Sequence, residues 1–194
     1  MKPSILTILG STRPGRLGEP VATWVRRIAD ARTDIQHSFV DLRDVNLPFF
    51  AEAESPSDGH YTNPQQIAWS QRIASADGFI VITPEYNHGY PGVLKNALDF
   101  LYAEWAAKPI GFVSYGGISG GMRSVEQLRQ IAVGLQMLPI SRSINLVNIA
   151  KRIDATGQID ATNDARLTRF LDQLAAWVTV LAAGRKQYPE LIQE

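Results

Sequence analysis

Short apolar runs alternate with longer amphipathic segments along this chain, and the alternation predicts the order of its strands and helices. A run such as Phe79–Thr83 (FIVIT) is apolar on both faces, which is typical of a parallel strand covered by helices on each side. By this pattern the predicted strands are Ser4–Leu9, Ser38–Leu42, Phe79–Thr83, Ile110–Tyr115 and a weaker Ile144–Val147.

Apolar residues at helical spacing mark the segments between these strands. The predicted helices are a first one that opens with Pro20, then Gln65–Ala76, Pro91–Trp105, Ser119–Met137, and a last one over Leu167–Leu181 that stops at Gly184. In the second of them, Ile67, Ala68 and Ile73 are expected to face inward. Because strand and helix alternate repeatedly, the chain is predicted to form a doubly wound α/β sheet.

The composition narrows the class of protein. Of the 194 residues, 45% are apolar and 20% are charged, which is typical of a globular protein, and residues 1–194 are expected to form one domain. Lys+Arg and Asp+Glu both number 19, so no net charge attracts the chain to nucleic acid or to an anionic membrane. The chain has no cysteine, which excludes disulfides, thiol catalysis and cysteine metal sites.

Two further features bear on location and on loops. The first apolar run ends at Gly10 and is too short for a membrane span, so a cytoplasmic location is expected. The segment Glu52–Thr62 (EAESPSDGHYT) is polar and carries Pro and Gly. It is either a surface connection without a role or a part of a substrate site.

Three loops are candidates for function, because ligands of an open α/β sheet bind beyond the carboxyl ends of its strands. The first loop, Gly10–Gly18 (GSTRPGRLG), combines glycines, hydroxyls and arginines ahead of a helix N-terminus, where backbone N–H groups favour an anion. It is not a Walker A loop, since Arg16 and Leu17 stand where Lys and Ser/Thr are needed. Phosphate binding is predicted; the alternative is a tight turn with solvated arginines.

The second loop leaves the strand at Pro84 and reaches the next helix at Pro91, which is longer than a plain connection requires. Its amides could meet the polar edge of a ring while Tyr86 covers a face of that ring. His88 is expected to be an exposed or capping residue, and one His with one Glu is too few ligands for a metal.

In the third loop, Tyr115–Gly121 (YGGISGG), four glycines let the backbone approach a ligand closely; the alternative is a flexible turn.

Together these segments resemble the NADPH-dependent FMN reductase family, a branch of the flavodoxin-like flavoproteins. The resemblance lies in GSTRPGR, TPEYNHGYPGVLKNALDF and SYGGISGGMRSVEQLR, in the same order and spacing, and covers about Ser4 to Ile140. It implies a flavodoxin-like three-layer sandwich, in which a five-stranded parallel sheet of order 2-1-3-4-5 carries helices on both faces.

The resemblance also implies how FMN is held. The first loop would hold the phosphate and the other two would border the isoalloxazine ring. The expected cofactor-binding residues are Gly10, Ser11, Arg13, Arg16, Leu17, Gly18, Pro84, Glu85, Tyr86, Asn87, His88, Gly89, Ser114, Tyr115, Gly116 and Gly117. Many family members carry Ser where this chain has Arg16, so its side chain is expected either on the phosphate, in solvent, or on the 2′-phosphate of NADPH.

The activity implied is reduction of FMN by NADPH or NADH, followed by electron transfer to quinones, free flavin, azo compounds or metal oxyanions. The flavin would carry the chemistry, so no catalytic side chain is expected, and sharing of one ring face predicts a ping-pong reaction. Arg13, Arg16 and Arg123 could each favour NADPH over NADH. A non-enzymatic electron carrier of flavodoxin type is disfavoured by the neutral charge, whereas a flavin-bound sensor stays open.

The helix Pro91–Trp105 carries a prediction about assembly. One apolar stripe contains Leu94, Leu98, Leu101 and Trp105, and a second contains Val93, Ala97 and Phe100. A helix that is apolar on two faces is usually buried on both sides. One face is expected on the sheet and the other on a second subunit, and the family resemblance implies a homodimer or homotetramer.

Overall fold

A five-stranded parallel sheet in the order β2-β1-β3-β4-β5 forms the centre of the structure, a computed structural model that describes residues 2–189. All neighbouring strands run parallel. The strands are β1 (Ser4–Leu9), β2 (Gln36–Asp41), β3 (Gly78–Pro84), β4 (Pro109–Tyr115) and β5 (Leu138–Leu146). The predicted doubly wound fold and its strand order 2-1-3-4-5 are confirmed.

Helices cover both faces of this sheet. They are α1 (Gly18–Asp30), the single turn α2 (Leu42–Val45), α3 (Pro64–Ala74), α4 (Gly92–Asp99), α5 (Met122–Gly134) and α6 (Asp164–Gln187). Alternate residues of each central strand enter opposite cores: Ile80 and Ile82 meet α1 and α6, whereas Phe79 and Val81 meet α3, α4 and α5. This two-sided burial accounts for the uniformly apolar strand. Within residues 2–189, every helix is too short or too polar to traverse a lipid bilayer.

The fifth strand is longer than predicted. β5 spans Leu138–Leu146, whereas the apolar pattern marked only Ile144–Val147. The strand lies at the edge of the sheet, with β4 as its neighbour. Pro139 and the exposed Arg142 are tolerated there, because one side of an edge strand needs no partner. Because these residues interrupt the apolar run, the hydrophobic pattern did not predict the first part of the strand.

The helix predicted over Pro91–Trp105 is also wrong in extent. α4 ends at Asp99, and a separate 3₁₀ turn covers Ala103–Trp105. Both apolar stripes are mostly buried within the chain itself, and the ring of Phe50 packs edge-on against Phe100 at 5.3 Å. The second stripe therefore gives no argument for a partner subunit, and the homodimer or homotetramer stays a prediction.

Three smaller expectations about helices are wrong at least in part. In α3 Ile73 is buried as expected, but the other buried residues are Gln66 and Trp69, and Ile67 and Ala68 face outward. The large Trp69 side chain sets the rotation of this helix, since its indole N–H donates to the carbonyl of Ala97 at 2.8 Å.

α6 passes through Gly184 to Gln187. Gly184 keeps a negative φ, so it does not form the left-handed cap that would end the helix. α1 likewise begins at Gly18, two residues before Pro20.

Candidate active site

The carboxyl ends of four neighbouring strands surround a cavity of about 350 Å³. This volume is within the range of small-molecule and cofactor sites. The three loops singled out in the sequence do converge here. The predicted residues that line the cavity are Arg13, Arg16, Leu17, Pro84, Glu85, Tyr86, Tyr115, Gly116 and Gly117. The predicted residues outside the lining are Gly10, Ser11, Gly18, Asn87, His88, Gly89 and Ser114.

A fourth loop, Asn148–Lys151, completes the wall and was missed in the sequence. It is tied to the third loop by two backbone hydrogen bonds, from Asn148 to the carbonyl of Gly117 at 2.9 Å and from Ile149 to that of Gly116 at 3.1 Å. Asn148 adopts a left-handed backbone with φ of 50°. The available signal was its position directly after the fifth strand, at the same edge of the sheet.

Arg16 lines the cavity, but its guanidinium is bound by acceptors inside the protein. Only 1% of the side chain is exposed, and its guanidinium donates to both carboxylate oxygens of Asp41, to the carbonyl of Ser11 and to Glu19. The expected orientation into solvent is therefore wrong. Binding of Arg16 to the FMN phosphate or to the 2′-phosphate of NADPH would need guanidinium N–H donors, and these three acceptors already occupy them.

The cavity mouth keeps two cations without a carboxylate partner. Within residues 2–189, neither Arg13 nor Lys151 forms an ion pair, and both are exposed. The guanidinium carbon of Arg13 lies 5.9 Å from the ring centroid of Tyr86. In the same part of the chain, no hydrogen bond uses the amide N–H of Ser11 or Thr12 as donor. Arg13 and Lys151 thus bring positive charge to the cavity, and the free amides of Ser11 and Thr12 lie in the loop that contributes Arg13 to the lining. Cations and free amides are the donors that a phosphate group requires.

The second loop is a tight hairpin turn. Tyr86 and Gly89 exchange two backbone hydrogen bonds, of 2.8 and 3.0 Å. Between them, Asn87 and His88 have φ of 50° and 69°, as a type I′ turn requires. Both side chains are exposed, so the expectation that His88 is an exposed residue is met. The two residues shape the backbone of the loop and do not project into the cavity.

Glu85 fastens the second loop to the third. Its carboxylate accepts from the Ser119 hydroxyl at 2.7 Å and from the side chain and backbone of Arg123 at 2.7 and 3.2 Å. Burial by itself would raise the pKa of the Glu85 carboxyl, but the hydrogen bonds from Ser119 and Arg123 outweigh burial and lower that pKa below its ordinary value. Arg123 is thereby engaged in a structural pair.

The third loop depends on glycine where it joins α5. Gly120 and Gly121 have φ of +59° and +84°, and a Cβ on Gly121 would lie 2.7 Å from that of Ser114. This turn explains why α5 begins at Met122 and not at Ser119. Ser114 is fully buried, and its hydroxyl donates to the carbonyl of Gly120 at 2.7 Å. It supports the loop from beneath and does not line the cavity.

Tyr115 closes the inner wall. Its hydroxyl lies 3.1 Å from that of Ser11, and burial raises the pKa of the phenol to about 12. The shifted pKa values of Glu85 and Tyr115 thus both lie away from neutrality. These two groups are fixed in charge near pH 7, which suits a wall that binds and orients and does not transfer protons.

Comparisons with known proteins show the family of this chain. The family model for the NADPH-dependent FMN reductases matches residues 3–151. An NAD(P)H-dependent FMN reductase of Schizosaccharomyces pombe is 46% identical over 137 residues, which cover 70% of this chain and 68% of that protein. A 2-hydroxy-1,4-benzoquinone reductase of Burkholderia sp is 31% identical over 188 residues, 90% of this chain and 95% of that protein.

Among solved structures, the flavoenzyme NAD(P)H:(acceptor) oxidoreductase from Paracoccus denitrificans aligns with a TM-score of 0.73 at 22% identity, over 91% of this chain and 97% of that one. This likeness confirms the fold. The chain belongs to the NADPH-dependent FMN reductase family, and it is an oxidoreductase whose cofactors are FMN and NAD(P)H.

Proposed function

We propose that this protein is an NAD(P)H:quinone or flavin reductase that passes electrons to a small-molecule acceptor by a ping-pong mechanism. The observation that carries the proposal is the set of groups that the cavity and its first loop bring together. The lining contains the cation of Arg13, the aromatic rings of Tyr86 and Tyr115 and the backbone of Gly116 and Gly117, and the first loop adds the free backbone amides of Ser11 and Thr12. A flat aromatic cofactor that carries a phosphate complements these groups.

The cavity and the first loop together fit FMN in two places. The amides of Ser11 and Thr12, with the Arg13 guanidinium, would hold the phosphate. The hairpin at Tyr86 and the backbone of Gly116 would border the ring. When bound, the flavin supplies the chemistry itself, since it accepts hydride from NAD(P)H and returns electrons to the acceptor.

The protein would contribute position and fixed charge. The ion pair of Glu85 with Arg123 and the backbone bonds of Asn148 and Ile149 keep the cavity loops in one arrangement. Backbone N–H groups at the rim would face the polar edge of the ring as preorganised dipoles, which stabilise negative charge without a titrating side chain. We therefore assign no acid–base residue.

A shared cavity leads to the kinetic proposal. The four loops enclose one space, and both the nucleotide and the acceptor must reach the same ring within it. The acceptor would then enter after the oxidised nucleotide has left. A quinone is the first acceptor to test, because the Burkholderia relative is named for a benzoquinone. Free flavin, azo compounds and metal oxyanions would be tested as acceptors after the quinone.

The test is spectroscopic. Purified protein would be mixed with FMN, desalted, and then treated with NADPH or NADH without air. A flavin band that survives desalting, bleaches within seconds and returns on addition of a quinone supports the reductase. A retained band that neither nucleotide bleaches would indicate a carrier or sensor. Initial-rate plots at several quinone concentrations should run parallel, and intersecting lines would contradict the ping-pong mechanism.

Assembly and location belong to the same proposal. We propose a homodimer or homotetramer in the cytoplasm, on the strength of the family resemblance. Light scattering at micromolar concentration tests the assembly, and a monomer would contradict it.

A further inference from the structure

We infer that Arg16 is a positioning residue: with Asp41 it holds the first loop in its phosphate-binding shape without touching the phosphate. The inference rests on the proposed binding of the FMN phosphate at Ser11 and Thr12. It also accounts for the arginine where many family members carry serine.

The Arg16 guanidinium has no donor left for a ligand. Its Nε donates to Glu19, its Nη1 to the Ser11 carbonyl and to Asp41, and its Nη2 to Asp41 and Glu19. These five bonds match the five N–H groups of a guanidinium. With 1% of the side chain exposed, a rotation toward the cavity would break all of them inside the protein.

Asp41 is itself held at the end of β2. Its side chain is 7% exposed, and its Oδ1 also accepts from the backbone N–H of Arg43 at 2.9 Å, which caps α2. A guanidinium pairs with a carboxylate through two parallel bonds, so the fork fixes direction as well as distance. The pair therefore joins the first loop to a neighbouring strand at a defined angle.

The bond from Arg16 to the Ser11 carbonyl has a direct consequence for the loop. All peptide bonds of residues 2–189 are trans, so the Ser11 carbonyl and the Thr12 N–H point in opposite directions from one peptide plane. Because Arg16 draws the carbonyl toward Asp41, the Thr12 N–H is turned away from the clamp. That N–H is one of the donors with no acceptor in the described chain.

The far side of Ser11 is fixed as well. Its hydroxyl lies 3.1 Å from the hydroxyl of Tyr115, at the end of β4. Ser11 is thus held on one side by Arg16 and on the other by Tyr115. The structure thus assigns to Arg16 the role of orienting the backbone amides that face the phosphate. The arginine itself does not contact the phosphate.

The experiment compares FMN with riboflavin, which lacks the phosphate. Dissociation constants of the apoprotein would be measured by flavin fluorescence for wild type, Arg16→Met, Asp41→Asn and the double variant Arg16→Met/Asp41→Leu. We expect FMN affinity to fall about 10- to 100-fold in each variant while riboflavin affinity changes less than about twofold. Arg43→Met is the matched control, since Arg43 contacts Glu19 and Asp41 but not Ser11.

Asp41→Asn separates positioning from direct contact. If Arg16 bound the phosphate itself, removal of the competing carboxylate would leave FMN affinity unchanged or raise it, and that result would overturn the inference. Equal losses for FMN and riboflavin would overturn it too, since they indicate general damage. The double variant removes both buried charges, so it tests the loop even where a single variant unfolds. A wild type that binds neither flavin would instead refute the proposed function.

Discussion

Glu85 and Arg123 form an ion pair of 2.7 Å that joins the hairpin loop of the cavity to the first turn of α5. The Glu85 side chain is 8% exposed, whereas 45% of Arg123 is exposed. The carboxylate is thus the buried partner, and it also receives the Ser119 hydroxyl. Two loops that would border the ring are therefore held by one side chain.

Glu85→Gln should weaken this connection between the two loops without creating a cavity, because glutamine has nearly the same size as glutamate. Loss of the charge on a buried acceptor is expected to lower the free energy of unfolding by about 1–2 kcal/mol, reduced by the exposure of Arg123. Urea unfolding of the apoprotein measures it. Because the loops border the ring, affinity should fall equally for FMN and riboflavin. Glu126→Gln, at an exposed position of α5, is the control. A loss confined to FMN would contradict this view of Glu85.

The same carboxylate predicts a pH dependence. The pKa of Glu85 in the folded protein lies below the ordinary value of 4.5, because Ser119 and Arg123 stabilise the charged form. A group with a depressed folded pKa stabilises the protein above its unfolded pKa, and the contribution is lost as the pH falls through the folded pKa. The stability difference between wild type and Glu85→Gln should therefore be largest near pH 7 and vanish on acidification below pH 4.5. A difference that stays constant would show that the charge is not responsible.

Lys108 predicts a second rise of stability with pH, in the alkaline range. Its Nζ donates to the carbonyls of Ile73 and Ala74 at the end of α3, and burial together with the nearby Arg185 lowers its pKa from 10.5 to about 8, against the smaller effects of Asp77 and Glu104. Between pH 8 and pH 10.5 the unfolded chain binds more protons than the folded one, so the free energy of unfolding rises with pH.

Unfolding of wild type and Lys108→Met would be compared at pH 7.5 and pH 10. Relative to the variant, wild type should gain up to roughly 3 kcal/mol across this interval. Lys186→Met, at an exposed position of α6, is the matched control and should follow wild type. A parallel course for wild type and Lys108→Met would show that the lysine does not titrate in this range.

The sequence predicts the edge of the sheet that forms the site, because three loops that contain glycine, the first of them also two arginines, follow strands whose apolar pattern is clear. It does not predict the direction of Arg16, because its partner Asp41 lies 25 positions away and meets it only when β2 pairs with β1. The Asn148–Lys151 wall was missed for a different reason: a strand at the sheet edge needs no continuous apolar run, so the loop that follows it was not recognised.

The hairpin turn makes a prediction about backbone conformation. His88 has a φ of 69°, where a β-branched side chain is strained. His88→Val should lower the free energy of unfolding by about 1–2 kcal/mol, whereas His88→Gly should leave it nearly unchanged. Thermal or urea unfolding measures both. His60→Val is the control, because His60 is 81% exposed in its side chain and has no positive φ. Equal effects of valine at the two positions would contradict the assigned turn.

The last prediction concerns the choice between NADPH and NADH. Arg16 and Arg123 are engaged by carboxylates, which leaves Arg13 and Lys151 as the cavity-lining cations without an ion pair in residues 2–189. Because the phosphate of FMN is assigned to the loop of Arg13, we expect Lys151 to meet the 2′-phosphate of NADPH. Lys151→Met should lower kcat/KM for NADPH about tenfold and leave that for NADH within about twofold. Arg142→Met, an exposed cation on β5, should change neither. An equal decline with both nucleotides would show that Lys151 acts on the cavity as a whole and does not recognise the 2′-phosphate.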